Sequence, residues 1–287
     1  MKSIEATNIQ KKFKTKTVLQ NVQIAIDGEK IIALIGRNGV GKSTLLKLIA
    51  GIIPQTSGEL KIFGEQPFDN LYVSSNSIYI HPEMAFPPSF TIQMICKTAE
   101  KFYLHWNQKF AEQLINYFQI PVHTTISQLS TGMRQQFFTI FGLATRCALT
   151  ILDEPVNGLD EASRKDIYRV ILKDYLEVPR TIILSSHLLD EMEHLVEEVA
   201  ILHKGEIIEH ENSADLVEKY AWMNGEKEQL KMGVGPIQKH LMKGYKRLVE
   251  VKNVDESASL ESASLKEIYL ALTNEREGGI DDIFGAE

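Results

Sequence analysis

Two glycines, a lysine and a hydroxyl recur at fixed spacing in Gly36-Arg37-Asn38-Gly39-Val40-Gly41-Lys42-Ser43, the pattern G-x-x-x-x-G-K-[ST], and Thr44 follows. That spacing suits an anion. Glycines let backbone N–H groups turn inward on phosphate oxygens, and a helix starting at the lysine adds favourable potential for negative charge. The pattern predicts a nucleoside triphosphate site with Gly36, Arg37, Asn38, Gly39, Val40, Gly41, Lys42, Ser43 and Thr44 as the cradle. Lys42 supplies a point charge for the β- and γ-phosphates, and the Ser43 hydroxyl a ligand for Mg²⁺, which prefers oxygen donors and keeps several waters. A second constellation lies further on. Leu149-Thr150-Ile151-Leu152-Asp153-Glu154 is an apolar run ending in two carboxylates. At the C-terminal end of a strand, where open α/β sheets bind ligands, Asp153 serves the metal and Glu154 orients or deprotonates an attacking water.

The surrounding elements must bring these groups together. Lys30–Gly36 reads as a strand buried on both faces, and the segment opened by Gly41 carries Leu45, Leu46, Leu48 and Ile49 at helical spacing until Gly51. Strand, glycine loop and helix thus follow in the order a phosphate site needs. Upstream, Ile4–Ile9 and Val22–Ile26 read as extended, with Lys11, Lys12, Lys14 and Lys16 expected in a solvated turn between them. From about Met84 to Gln128 the texture is helical and aromatic. α/β alternation then resumes, with strands at Leu149–Leu152, Thr181–Ser185, Val199–His203 and Glu206–Glu209 and helices over Glu161–Glu177 and near Leu188–Val196. Beyond about Tyr220 the signal weakens, apart from a short amphipathic helix at Leu265–Leu272.

At 287 residues, 44% hydrophobic and 24% charged, the chain can bury one large or two modest cores. Its two cysteines, Cys96 and Cys147, form no C-x-x-C or Cys/His cluster, which argues against a metal or redox pair and fits a reducing compartment. A net charge of −7 argues against a dedicated nucleic-acid binder. No stretch approaches the ~18 apolar residues of a membrane helix, and the N-terminus lacks a signal-peptide apolar region, so a soluble chain is expected.

Over residues 2–210 the sequence resembles the nucleotide-binding subunit of ATP-binding-cassette (ABC) transporters. Besides the two motifs above, Leu129-Ser130-Thr131-Gly132-Met133 is similar to the family signature LSGGQ, Gly158-Leu159-Asp160 to its D-loop, and His187 to its switch histidine. Phe13 stands where the family stacks an aromatic ring on adenine. The resemblance implies an α/β fold: a P-loop NTPase core of ABC ATPase type at 1–210, with an antiparallel β subdomain, a helical subdomain inserted at about 84–148, and a small C-terminal extension at 211–287. It also implies ATP and Mg²⁺ as cofactors, and catalysis by Glu154, His187 and Lys42. Ser130 and Gly132 would cover the γ-phosphate held by a second ABC ATPase subunit, so that binding closes a dimer and hydrolysis opens it. The metal set becomes Ser43, Asp153 and Glu83, the last standing where the family has glutamine. Thr131 and Met133 also depart from the signature, which implies less room for backbone approach at Thr131.

The implied function is ATP hydrolysis that powers transport through separate transmembrane permease subunits, from the cytoplasmic face of the membrane, with no nucleic-acid partner. The tail segment Ser264–Leu272 looks like the end of cassettes serving exporters. A soluble non-transport ABC ATPase is the alternative. Eight aromatics (Phe86, Phe90, Phe102, Tyr103, Trp106, Phe110, Tyr117 and Phe118) fall in the helical stretch, where they either line a groove for a membrane partner or build that subdomain's own core.

Overall fold

The computed structural model describes residues 2–186, 189–226, 230–231, 233–240, 244–255 and 258–274. The chain divides into two compact units, residues 1–210 and 211–287.

The first unit opens with two long antiparallel strands, β1 (Lys2–Phe13) and β2 (Lys16–Asp27). They are longer than the apolar residues alone suggest; Lys12, Lys14 and Lys16 are exposed at and beside the turn, as expected, and only Lys11 departs from the solvated-turn reading. Lys11 lies within β1 and is buried, its ammonium donating to the Pro54 carbonyl and lying 5.0 Å from the centre of the Phe13 ring. A long lysine stem packs against apolar surface while its head finds an acceptor, so a basic run need not mark a turn. Next in sequence come β3 (Ile31–Ile35), helix α1 (Lys42–Ile49) and β4 (Ser57–Ile62). β4 pairs with β1 to complete a three-stranded antiparallel sheet in the order β2-β1-β4.

The chain continues through α2 (Leu71–Asn76), β5 (Ser77–Ile80), α3 (Ile92–Phe102), α4 (Gln108–Tyr117), α5 (Thr131–Ala144), β6 (Leu149–Asp153), α6 (Glu161–Glu177), β7 (Thr181–Ser186), α7 (Leu189–Met192), β8 (Glu198–His203) and β9 (Glu206–Asn212). Six of these strands form one sheet in the order β5-β6-β7-β3-β8-β9, and β5 through β8 run parallel. Every residue of β3, β6 and β7 is buried, as continuous apolar runs in a sheet covered on both faces require. The register pairs Leu34 and Asp153 with the same residue, Ser185, so the carboxyl ends of β3, β6 and β7 align at one edge.

Between β5 and β6 the chain is helical. Thr91, Asn107 and Ser130 cap α3, α4 and α5, each side chain accepting from a backbone N–H three residues on. The aromatics here differ in burial. Phe86 lies 5.2 Å from Phe141, with Tyr103 and Trp106 on the same ring at 5.9 and 5.4 Å, a core of the subdomain's own. Phe102 is 80% exposed and Tyr117 62%.

The second unit holds more regular structure than its sequence signals. Helix α8 (Ser213–Lys219) precedes strands β10 (Tyr220–Gly225), β11 (Val234–His240), β12 (Gly244–Glu250) and β13 (Leu260–Ser262), and α9 (Leu265–Thr273) follows. The strands form an antiparallel sheet in the order β11-β12-β10-β13. The serine-rich stretch before α9 has a local purpose: Ser264 caps the helix in a reciprocal capping box with Glu267.

Candidate functional site

The loop from Gly36 to Gly41 leaves the end of β3, at the middle of the parallel sheet, and enters α1. Two of its glycines are compelled by their surroundings. A Cβ on Gly36 would stand 2.6 Å from the Leu202 carbonyl oxygen and 2.8 Å from a Val40 methyl. Gly41 has φ +115°, and a Cβ there would meet Leu19 at 2.9 Å. Arg37, Asn38 and Gly39 are exposed along the loop's outer rim, Val40 is half-buried, and the Val40 N–H donates to the Arg37 carbonyl, closing a tight turn. Gly41 occupies the position before α1, and no side chain among the described residues caps that end. The first N–H groups of α1 are therefore available to an anion, with the positive end of the helix dipole behind them.

Lys42 is buried, and its ammonium donates to the Gly36 carbonyl at 2.7 Å, folding the side chain back over the loop. It also lies 3.6 Å from Glu154 Oε1. Lys42 and the carboxylate after β6 are thus adjacent. Ser43, exposed, and Thr44, half-buried, open α1 on the same edge.

Asp153 ends β6 and is 3% exposed. Both its oxygens are held. Ser185 on β7 donates to Oδ1, and the Tyr79 phenol on β5 donates to Oδ2 at 2.7 Å. Burial, and after it the Asp153 charge and hydrogen bond, push the Tyr79 phenol well above its ordinary pKa, so it stays protonated and donating. Glu154 follows with φ +52°, a left-handed conformation uncommon for glutamate, and its N–H donates to Ser185 Oγ at 2.9 Å. One serine therefore holds the Asp153 carboxylate and the Glu154 backbone. Tyr79 and Ser185 were not singled out by sequence; the signals were a phenol four residues before Glu83 and two serines ending an otherwise apolar strand.

The remaining expected site residues are placed less tightly. Glu83 is exposed in the loop after β5. Beside it, His81 stacks on Tyr79 with ring centres 4.9 Å apart, and burial, then the Lys47 charge, lower its pKa. Phe13 is 46% exposed at the end of β1. Ser130 is exposed and caps α5 by accepting from the Met133 N–H at 3.2 Å. For Gly132, a Cβ would approach nothing nearer than Leu159 at 3.5 Å. Near this tip, Asp160 caps α6, and Arg164 binds Glu191 through both carboxylate oxygens while donating to the Leu159 carbonyl. His187 lies outside the described residues.

The groups fit a metal–nucleotide complex. Asp153 and Ser43 are hard oxygen donors beside the uncapped start of α1, and the described residues contain no cluster of three or more His, Cys, Asp or Glu able to cage an ion. Mg²⁺ is commonly held in that way, by one or two protein oxygens with water and phosphate completing its shell.

Comparison with known proteins agrees. The family described as ABC transporter matches residues 19–157. The lantibiotic transport ATP-binding protein SrtF of Streptococcus pyogenes is 31% identical over 225 residues, covering 76% of this chain and 95% of that protein. The bacitracin transport ATP-binding protein BcrA of Bacillus licheniformis is 32% identical over 212 residues, 72% of this chain and 68% of its own length. The ABC transporter ATP-binding protein YtrB of Bacillus subtilis is 29% identical over 217 residues, 76% and 74% of the two chains. Among solved structures, an ATP-binding subunit of an ABC transporter superposes with TM-score 0.67 at 24% identity, covering 74% of this chain and 91% of that one. Dimeric MJ0796, a bacterial ABC transporter cassette, gives 0.65 at 21% over 73% and 98%. These two likenesses concern the fold, and the family follows from the sequence relatives. The chain belongs to the ABC transporter family as one of its ATP-binding ATPase subunits.

Proposed function

We propose that this subunit hydrolyses MgATP at the β3–β6 edge and that the energy drives export through separate membrane subunits, from the cytoplasmic face. The observation that carries the reading is the convergence of Lys42, Asp153 and Glu154 at the aligned ends of β3 and β6, with Ser185 bonding both the Asp153 carboxylate and the Glu154 backbone N–H.

In this reading the loop N–H groups and the start of α1 receive the phosphates, and Lys42 adds a cation toward the β- and γ-oxygens. Phe13 stacks on the adenine. Ser43, Asp153 and Glu83 would hold Mg²⁺, which would neutralise charge developing on the phosphates. Glu154 accepts a proton from the attacking water. His187 contacts the γ-phosphate. Ser130 and Gly132, at the tip of α5, complete the site of a second cassette, self or non-self. Nucleotide then belongs to a dimer interface, and its cleavage opens it.

A membrane subunit needs a place to dock. A groove of about 460 Å³ is lined by Leu71, Phe86, Phe90, Ile95, Phe102 and Phe141, with Leu71 and Phe102 largely exposed at its rim. We assign it to an apolar helical segment of the membrane partner. Among the described residues no helix is long and apolar enough to cross a membrane. Export is supported by relatives named for lantibiotic and bacitracin transport and by the tail segment Ser264–Leu272. Residues 211–287 form a C-terminal extension to the ATPase domain.

Glu154→Gln tests the site. With ATP and Mg²⁺ it should retain nucleotide, lose about 10²–10⁴-fold in turnover, and run as a dimer on size exclusion. Hydrolysis at the parent rate refutes the base assignment. Co-purification of a membrane protein from detergent extracts, lost on Phe102→Asp, tests the groove.

A further inference from the structure

Tyr79 is not among the residues that the ATPase reading requires, yet it sits between two that are. It lies on β5, next to β6, and is 8% exposed. Its hydroxyl meets Asp153 Oδ2 at 2.7 Å, and Ser43 lies close enough to interact with the phenol from the α1 side. The ring itself is fixed by stacking on His81, with planes 22° apart. A carboxylate oxygen has room for two acceptor contacts. With Ser185 on Oδ1 and Tyr79 on Oδ2, each oxygen keeps one direction free, and the group loses the freedom to rotate about its terminal bond.

Orientation matters here because Mg²⁺ demands near-octahedral geometry and does not adapt its shell to a swinging ligand. Partners that hydrogen-bond a metal-ligating carboxylate set its direction, and their loss commonly weakens metal affinity by about 10–100-fold. The two proposed metal ligands come from different elements, Ser43 from α1 and Asp153 from β6, which share no strand pairing. Their common neighbour is the phenol of Tyr79. We infer that Tyr79 is a positioning residue for the metal site: it fixes the Asp153 carboxylate relative to Ser43 and so sets the affinity for Mg²⁺ without touching nucleotide.

The inference rests on the proposed MgATP site, and its test separates the two. The intact subunit and Tyr79→Phe, which keeps the ring and its stacking, are titrated with a non-hydrolysable ATP analogue in Mg²⁺ and again in EDTA. Half-saturating Mg²⁺ for ATP turnover is measured alongside. If the parent protein binds no better with metal than without, the MgATP site itself is wrong. Given a metal-dependent parent, Tyr79→Phe should raise half-saturating Mg²⁺ about tenfold, leave affinity in EDTA within twofold, and recover most of its rate at high Mg²⁺. Equal loss with and without metal would make Tyr79 a general packing residue and overturn the inference, as would unchanged Mg²⁺ dependence. Ser185→Ala, which removes the donor on the other oxygen, serves as a second variant should Tyr79→Phe not fold. It should raise half-saturating Mg²⁺ in the same direction, and a normal Mg²⁺ dependence would count against orientation of Asp153 altogether.

Discussion

The P-loop edge and the tip of α5 belong to one chain and one proposed reaction, but their surroundings differ sharply. At the edge, Lys42 and Asp153 are buried, both Asp153 oxygens are held, and Gly36 is walled in by the Leu202 carbonyl. At the tip, Ser130 and Thr131 are exposed, the Ser130 hydroxyl serves only a local helix cap in the interactions described, and Gly132 has space for a methyl group. Glycine at the first place is demanded by this chain's own packing. Glycine at the second is not, which agrees with the proposed role of Gly132 beneath a phosphate held by a second cassette. A shared site has this character: one surface finished by its own fold, the other shaped for a mate.

Lys42→Ala should break the finished half most severely. Losing a buried cation with charge-assisted contacts to phosphate costs about 3 kcal/mol, roughly a hundredfold in ATP affinity. A fluorescent-nucleotide titration measures it, and unchanged affinity would contradict the loop's role. A matched pair of alanine substitutions sharpens the contrast. Gly36→Ala must displace a backbone carbonyl and should destabilise the chain by about 1–3 kcal/mol, visible in thermal melting. Gly132→Ala should leave the melting temperature unchanged or slightly raised, since alanine exceeds glycine in helix propensity by up to about 1 kcal/mol. Its effect should appear only where two chains meet: normal nucleotide affinity for the isolated subunit, but turnover lowered about tenfold, which corresponds to about 1.4 kcal/mol. Equal melting losses from both substitutions would erase the distinction.

Legibility in the sequence follows the same division. Short-range chemistry was readable: the loop, the buried strands before Gly36 and Asp153, and the helix after Gly41 all announce themselves through spacing and continuous apolar runs. Contacts across strands were not. Nothing local to Ser185 shows that it pairs with both Leu34 and Asp153, because register is set by the whole sheet. Lys11 read as a solvated turn residue since its acceptor, the Pro54 carbonyl, is distant in sequence. The second unit was hardest. Its strands pair in the order β11-β12-β10-β13, and their residues are largely half-buried, without the long apolar runs that make the first unit's core strands readable.

The smallest effect is expected at Thr131, where the two terms have opposite signs. Thr131 begins α5 and is exposed, and its methyl leans toward Gly158: a Cβ placed on that glycine would stand 3.3 Å from Thr131 Cγ2. Thr131→Gly removes this contact and a better helix former, which should cost a few tenths of a kcal/mol, roughly, in stability. The same change frees the backbone for closer approach by a bound phosphate of the mate. In a Glu154→Gln background, the nucleotide-induced dimer should therefore form at about threefold lower protein concentration, roughly 0.65 kcal/mol. A weaker dimer would mean that the threonine side chain itself makes the contact across the interface. Because lower stability and tighter association cannot both come from damage to the fold, observing them together would mark the tip of α5 as a surface built for a partner.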